Sequence, residues 1–390
     1  MMYIRILSFL VFTLLCIIGC REDEYITYMT DEDTGITAAG SGEIIGMYLL
    51  NEGNMGSNKC TLDYLDLSGE QSTIHYYRNI YAHHNPQQVL ELGDVGNDIQ
   101  IYGDQLWMVI NCSNKVEICR AADASHLGKV EIPNCRYVTF DQGFAYVSSY
   151  AGPVELGTHC PLGRVYKVDT LSLQKVDSVT VGFQPEEMAI IDHHLYVANS
   201  GGYRIGSYDN RVSVIDLDKM SVIQEIELVP NLHRMAADRY GQVWVSSRGN
   251  YLDQPSTLCW IDTRQGITGQ IDVPVSEMCL AGDSLYYIGA SFSYLTGKNC
   301  IDMGIIDVRT KQVIQTDMFD DDAIQSIQLP YGIIVNPEQR DFYLMDAKNY
   351  VSSGELLHFL PDGTFEWRVW TGDIPSRAVF LRDTNKKSNT

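Results

Sequence analysis

The stretch "LYVANSGGY", residues 195–203, decides the fold. Its first four residues are apolar on both parities, so a strand made from them needs cover on both faces. It then breaks into Asn199, Ser200, Gly201 and Gly202, residue types that make turns. The pattern occurs seven times: "MYLLNEGN" (47–54), "LWMVINCSN" (106–114), "FAYVSSYAG" (144–152), "LYVANSGG" (195–202), "VWVSSRGN" (243–250), "LYYIGASFS" (285–293) and "FYLMDAKNY" (342–350). A period of about 40 to 50 residues marks a propeller or a solenoid.

Each stretch is followed by a second β-rich run, often closed by Asp and a turn, as in "RVYKVDT" from Arg164, "VSVIDLD" from Val212 and "LCWIDTR" from Leu258. A third run comes after it, such as "VIQEIELV" (222–229), and a fourth, such as "EMAIIDH" (187–193), precedes each of the later repeats. Four short strands per repeat make an antiparallel sheet, and seven such sheets make an all-β, seven-bladed β-propeller. The N-terminal repeat lacks its first strand, while the C-terminus holds a spare one, "SRAVFL" (376–381). Pairing the C-terminal strand with the N-terminal blade closes the ring and hides an open edge. The propeller then occupies residues 46–383, with a C-terminal tail at 384–390.

Ahead of it, Arg5 precedes an apolar run from Ile6 to Ile18, too short to cross a bilayer, and Gly19 stands before Cys20. The ending "CIIGC" resembles a bacterial lipobox, so residues 1–19 read as a lipoprotein signal peptide and Cys20 as the acylated residue. The acidic "REDE" behind it resembles the surface-export signal of outer-membrane lipoproteins, which implies an outer-membrane anchor facing the cell exterior. Residues 20–45 read as the lipidated cysteine and a flexible acidic tether, being polar, small and without period.

In an antiparallel blade, the turn from second to third strand and the crossover from the fourth strand to the next blade share one face. The longest loops fall there: "GNMGSNKC", "YAGPVELGTHCPLG", "GGYRIGSYDN", "RGNYLDQPS" and "SFSYLTGKNC". Long loops on a rigid scaffold are where function is usually housed. With the crossovers "PNCRY" (133–137) and "PNLHR" (230–234), this mouth carries the candidate ligand-binding residues. They are Asn54, Asn114, Arg136, Tyr150, Tyr203, Tyr208, His233, Arg248, Tyr251, Phe292, Tyr294, Asn349 and Tyr350. Their rings and amides suit a large neutral ligand with stackable faces and many hydrogen-bonding edges.

A formal charge of -22 repels phosphate backbones and argues against nucleic acid. The histidines show no metal-ligand spacing; His83–His84 and His193–His194 are adjacent pairs, which in a strand point to opposite sides. There is no nucleophile elbow, P-loop or dinucleotide fingerprint in a supporting context. The chain therefore reads as a binder and not an enzyme, with no catalytic residue, metal or resident cofactor assigned. Glu186–Glu187 and Asp320–Asp322 read as acidic turns, with a mouth-bound cation as the competing reading. Export permits disulfides, whose connectivity stays open; Cys119, Cys259 and Cys279 fall inside strands, where a cysteine serves as a small core residue.

"LYVANSGG...RVSVIDLDKMSVIQEIELV" resembles the YncE-like propellers. "YLLNEGNMGSNKCTLDYLDL", "LGDVGNDIQIYGDQLWMVINCSNKVEI", "IPNCRY" and "VSSYAGPVE" resemble the surface lipoproteins of the BtuG type over most of residues 46–381. That resemblance implies capture of a corrinoid, cobalamin or cobinamide, as a transported ligand, and its delivery to a TonB-dependent outer-membrane transporter of the BtuB type. Three other readings stand beside it: a surface glycan-binding accessory protein of a nutrient-uptake system, a propeller hydrolase with a mouth-bound cation, and a purely structural interaction module.

Overall fold

The computed structural model describes residues 31–33, 44–68, 75–293, 298–316 and 321–383. The signal peptide, Cys20, Tyr294, Asp320 and the tail 384–390 lie outside the described residues.

The doubly apolar stretch becomes the second strand of the fourth blade. Pro185–Ile191, His194–Asn199, Arg211–Asp216 and Ser221–Glu227 form one antiparallel sheet in that order, with Leu195 between Ile190 and Ile215. Alternate residues of the stretch enter different cores. Leu195 and Val197 pack with Tyr146 and Val165 of the third blade, whereas Tyr196 and Ala198 pack with Met235, Val243 and Val245 of the fifth. A blade is a layer with neighbours on both sides, so its central strands are apolar on both parities. Burying each such side chain contributes about 1.5–3 kcal/mol.

Seven sheets repeat this plan. Their innermost strands are Pro375–Arg382, Gly96–Tyr102, Cys135–Asp141, Pro185–Ile191, Leu232–Ala237, Glu277–Ala281 and Pro330–Val335, and neighbouring ones pack side by side around the axis. The ring closes as the spare strand requires: Pro375–Arg382 pairs with Ile44–Asn51, placing Tyr48 opposite Val379. Met47, Leu49 and Tyr76 of this first blade then pack against Tyr343, Leu356 and Trp367 of the seventh. Asp31–Asp33, within the stretch read as a tether, adds a fifth strand outside His75–Tyr77, whose backbone edge is open to any extended segment.

Opposite the mouth four blades join their first two strands in the same way. Two-residue hairpins sit at 103–104, 142–143, 192–193 and 282–283, and Gly103, Gln142, Asp192 and Gly282 supply the left-handed backbone that such turns need. The recurring Asp at the end of the third strand also has a cause. Carboxylates of Asp169, Asp216, Asp262 and Asp307 each accept the backbone N–H groups two and three residues on, at 2.7–3.2 Å.

Two features were not legible as loops or strands alone. Short helices, α1 (Ile80–His84) and α2 (Asp321–Ser326), occupy two inter-blade connections. In the sixth blade, Ser284–Ser293 and Lys298–Asp307 stay paired out to Ser293 opposite Lys298, so much of "SFSYLTGKNC" is a projecting hairpin. Cys119 and Cys259 are buried in the core, Cys279 is partly buried, and these three, with Cys60, Cys112, Cys135 and Cys160, are free thiols.

Candidate functional site

The small polar residues that end each second strand anchor the mouth. Ser247 donates from its hydroxyl to the Pro230 carbonyl at 2.6 Å and accepts from the Gly249 N–H at 2.9 Å. Ser200 does the same with Gln184 and Gly202, and Ser149 with Pro133 and Ala151. Asn199, fully buried, donates to the Arg211 carbonyl and the Ser213 hydroxyl at 2.8 and 3.0 Å. Gly201 is left-handed at φ 54, and a Cβ there would sit 2.5 Å from the Asp209 nitrogen. Asn, Ser and Gly thus follow the strand because buried loop backbone needs hydrogen-bond partners where there is no room for bulk.

Above these staples lies a cavity of about 660 Å³, and every blade contributes to its wall. Glu52, Asn97, Arg136, Glu186, His233, Glu277 and Tyr331 come from the first to the seventh blade in turn. A register shift interrupts the pairing of the two inner strands near the mouth in six of the seven blades. Such bulges re-aim side chains. In the fourth blade, Glu186 turns toward Arg136 while Glu187, its neighbour, meets Arg377.

Charge at the floor is high and paired. Arg136 donates twice to Glu186, at 3.1 and 3.2 Å, and the Tyr150 hydroxyl donates to the other Glu186 oxygen at 2.6 Å. Arg234 bonds Glu277 and donates to the Tyr137 hydroxyl at 2.5 Å. The Tyr137 ring stands among the guanidinium groups of Arg136, Arg234 and Arg377, 5.3–5.8 Å from its centre. His233 Nε2 accepts from Arg248 at 2.7 Å and lies 3.3 Å from the Tyr137 hydroxyl.

Environment sets the protonation of these groups. Burial, reinforced by Arg234, Arg248, Arg377 and Arg136, holds the His233 imidazole well below its usual range and therefore neutral. Burial alone would raise the Glu186 carboxyl, but Arg136, Arg248 and the Tyr150 hydroxyl outweigh it and hold it below the usual range. Glu52 has weaker support, a Tyr331 hydroxyl at 3.2 Å; burial pushes it up to about 7 against the pull of Arg136 and Arg234.

Of the residues singled out from sequence, Arg136, Tyr150, Tyr203, His233, Arg248, Tyr251 and Tyr350 line the cavity. Asn54 stands between the lining residues Gly53 and Met55, and Tyr208 lines a separate cleft beside the cavity. The Asn114 oxygen accepts from the Asn134 N–H at 2.7 Å, and Asn349 accepts from the backbone of Val351 and Ser352; both secure loops. Phe292 lies on the projecting hairpin of the sixth blade. Glu186 and Glu187, weighed as acidic turns, are partners of arginines.

Sequence reading missed Glu52, Asn111, Tyr137, Arg234, Glu277 and Tyr331. Register would have found two of them. Glu52, Asn111, Tyr150 and Arg248 each come directly after the last residue of a second strand, so the seven aligned phrases present them at one position.

Fold and site together define a seven-bladed β-propeller with a polar, preorganised cavity at one mouth. The chain belongs to the family described as a domain of unknown function (DUF5074), whose pattern matches residues 45–355. No curated protein matches it. Among solved structures it is similar to a hypothetical selenium-binding protein from Sulfolobus tokodaii (12% identity, 90% of this chain and 97% of that one, TM-score 0.63). It is also similar to a quinonprotein alcohol dehydrogenase-like protein from Bacteroides thetaiotaomicron (11%, 87% and 79%, 0.57) and to the hydrazine synthase of Kuenenia stuttgartiensis (12%, 82% and 97%, 0.56). At these identities the likeness is one of fold, a scaffold that hosts unrelated functions.

Proposed function

We propose that this chain is an outer-membrane surface lipoprotein that captures a corrinoid in the mouth cavity and passes it to a TonB-dependent transporter of the BtuB type. It acts as a binder and not a catalyst. The observation that carries this reading is the cavity itself, which collects fixed donors and acceptors from all seven blades beneath an aromatic, apolar rim. Its volume of about 660 Å³ is that of a specific small-molecule site. A corrinoid is a rigid macrocycle fringed with amides and is larger than this, so one edge seats in the cavity while the ring faces the rim. Arg136, Arg248 and Asn111 are matched to amide carbonyls, and Glu52 and Glu277 to amide N–H groups. Rigidity in both partners lowers the ordering cost of association.

The rim supports the handover. Met55, Leu156 and Leu252 are 81%, 76% and 90% exposed on mouth loops of three different blades. A transporter surface that covers them also encloses the ligand. Rim tyrosines support a second reading, a glycan-binding accessory protein, in which Tyr203, Tyr251 and Tyr350 act as sugar platforms. The hydrolase reading has less support, because Glu186, Glu187 and Glu277 are engaged by Arg136, Arg377 and Arg234.

Titration calorimetry with cyanocobalamin, cobinamide and a panel of host and dietary glycans tests the proposal. Saturable binding of a corrinoid, with the red colour retained after desalting, is the expected result. Heat from glycans alone, or from none of these compounds, overturns it.

A further inference from the structure

Beside the main cavity lies a second, smaller cleft of about 470 Å³, between the loop after the second strand of the fourth blade and the equivalent loop of the fifth. Ile205, Tyr208, Pro230, Tyr251 and Leu252 form its walls. Tyr251 also lines the main cavity, so the two spaces share a wall. We infer that this cleft is an apolar subsite for a planar aromatic group carried on the same ligand whose polar body occupies the main cavity.

The chemistry of the walls supports this. The Asn250 and Arg204 side chains beside the cleft are engaged within their own loops. The Asn250 carboxamide donates to Asp253 at 2.6 Å, and its oxygen accepts the backbone N–H groups of Leu252, Asp253 and Gln254 at 2.9–3.1 Å. Arg204 lies over the Phe183 ring at 3.7 Å and donates to the Ser207 carbonyl at 2.9 Å. What faces outward is hydrocarbon and aromatic surface, with Leu252 90% and Ile205 68% exposed.

Tyr208 and Tyr251 meet edge to face with ring centres 6.2 Å apart, a pair that another aromatic ring can extend. The space is ample for one or two fused rings. Tyr251 also has a left-handed backbone at φ 60, a conformation that bulky residues rarely adopt and that clusters at ligand sites. The residue stands at the junction of the two spaces.

The inference rests on the main cavity binding a bulky ligand, and the test separates the two. Free benzimidazole serves as the planar probe, read by saturation-transfer NMR on the full chain. One corrinoid with an aromatic base and one without are titrated alongside, on the parent, Leu252→Asp and Tyr208→Ala. Leu252 is nearly fully exposed, so its replacement leaves the melting temperature in place. Saturable benzimidazole binding that Leu252→Asp abolishes is expected, with the base-bearing corrinoid favoured by about tenfold in the parent and the preference lost in the variant. Equal affinity for both corrinoids, or benzimidazole binding indifferent to Leu252→Asp and Tyr208→Ala, overturns the subsite while leaving corrinoid capture intact. Benzimidazole binding that depends on Leu252, with no corrinoid bound, supports the subsite and refutes corrinoid capture.

Discussion

The two faces of this propeller are made from the same strands and obey different rules. On the far face, four blades join their first two strands by a two-residue hairpin, and in four the same Asp caps the turn from third to fourth strand. On the mouth face each blade sends its own set of side chains to one cavity, and in six blades the regular pairing breaks just before it. Repetition marks the parts that only have to fold, and its loss marks the parts that build the candidate site. The far face is held by exposed, independent local bonds. The mouth is held by a buried network in which Tyr137, His233 and four arginines share partners.

This contrast predicts unequal costs of damage, greatest at the cavity floor. Arg234→Ala removes the ion-pair partner of the buried Glu277 and should cost about 3–5 kcal/mol of stability in urea unfolding. A cost no larger than that of a far-face turn would show the floor to be loosely built.

Glu52 sharpens the comparison through pH. In the folded chain its carboxyl keeps a proton up to about 7, whereas the unfolded chain releases it near 4.5. Between these values the native state binds more protons, so this group's contribution to stability falls as pH rises and the loss is complete above the folded value. Glu52→Gln cannot ionise, so its denaturation midpoint should gain on the parent's between about pH 5 and about pH 8. A constant difference would mean that Glu52 meets water or a cation more freely than its place in the cavity wall allows.

Next in size is a far-face turn. Asp262→Ala removes the acceptor for the Arg264 and Gln265 N–H groups, which water can replace, and should cost about 1 kcal/mol without altering ligand binding. A change in affinity would mean that the two faces are coupled through the fifth blade.

The same contrast explains what could be read from the chain. Blade number, closure by 376–381 and the gathering of long loops at one mouth were legible because they rest on repetition. Tyr196 and Val197 pointing to different neighbours is the physical content of that pattern. Individual cavity residues were harder to see. Tyr137, Arg234 and Tyr331 sit within the first residues of inner strands, where a two-residue period assigns them to one blade surface or the other, and a bulge turns them to the axis instead. Asn114 and Asn349 carry the amides that suit a ligand, yet the neighbouring backbone takes their oxygens, a use that depends on loop shape.

The smallest effect is also the one that best separates folding from binding. Tyr251 and Tyr350 both line the cavity with left-handed backbones, at φ 60 and 64. An L-residue holds that conformation at a cost that glycine avoids, and the Tyr251 ring is 68% exposed, so it returns little packing. Tyr251→Gly should therefore raise stability by up to about 1 kcal/mol while weakening the ligand. Thermal melting and calorimetry on one sample check both halves. A variant that loses stability as well would show the ring to be part of the structure, and would move the boundary between scaffold and site outward to the rim.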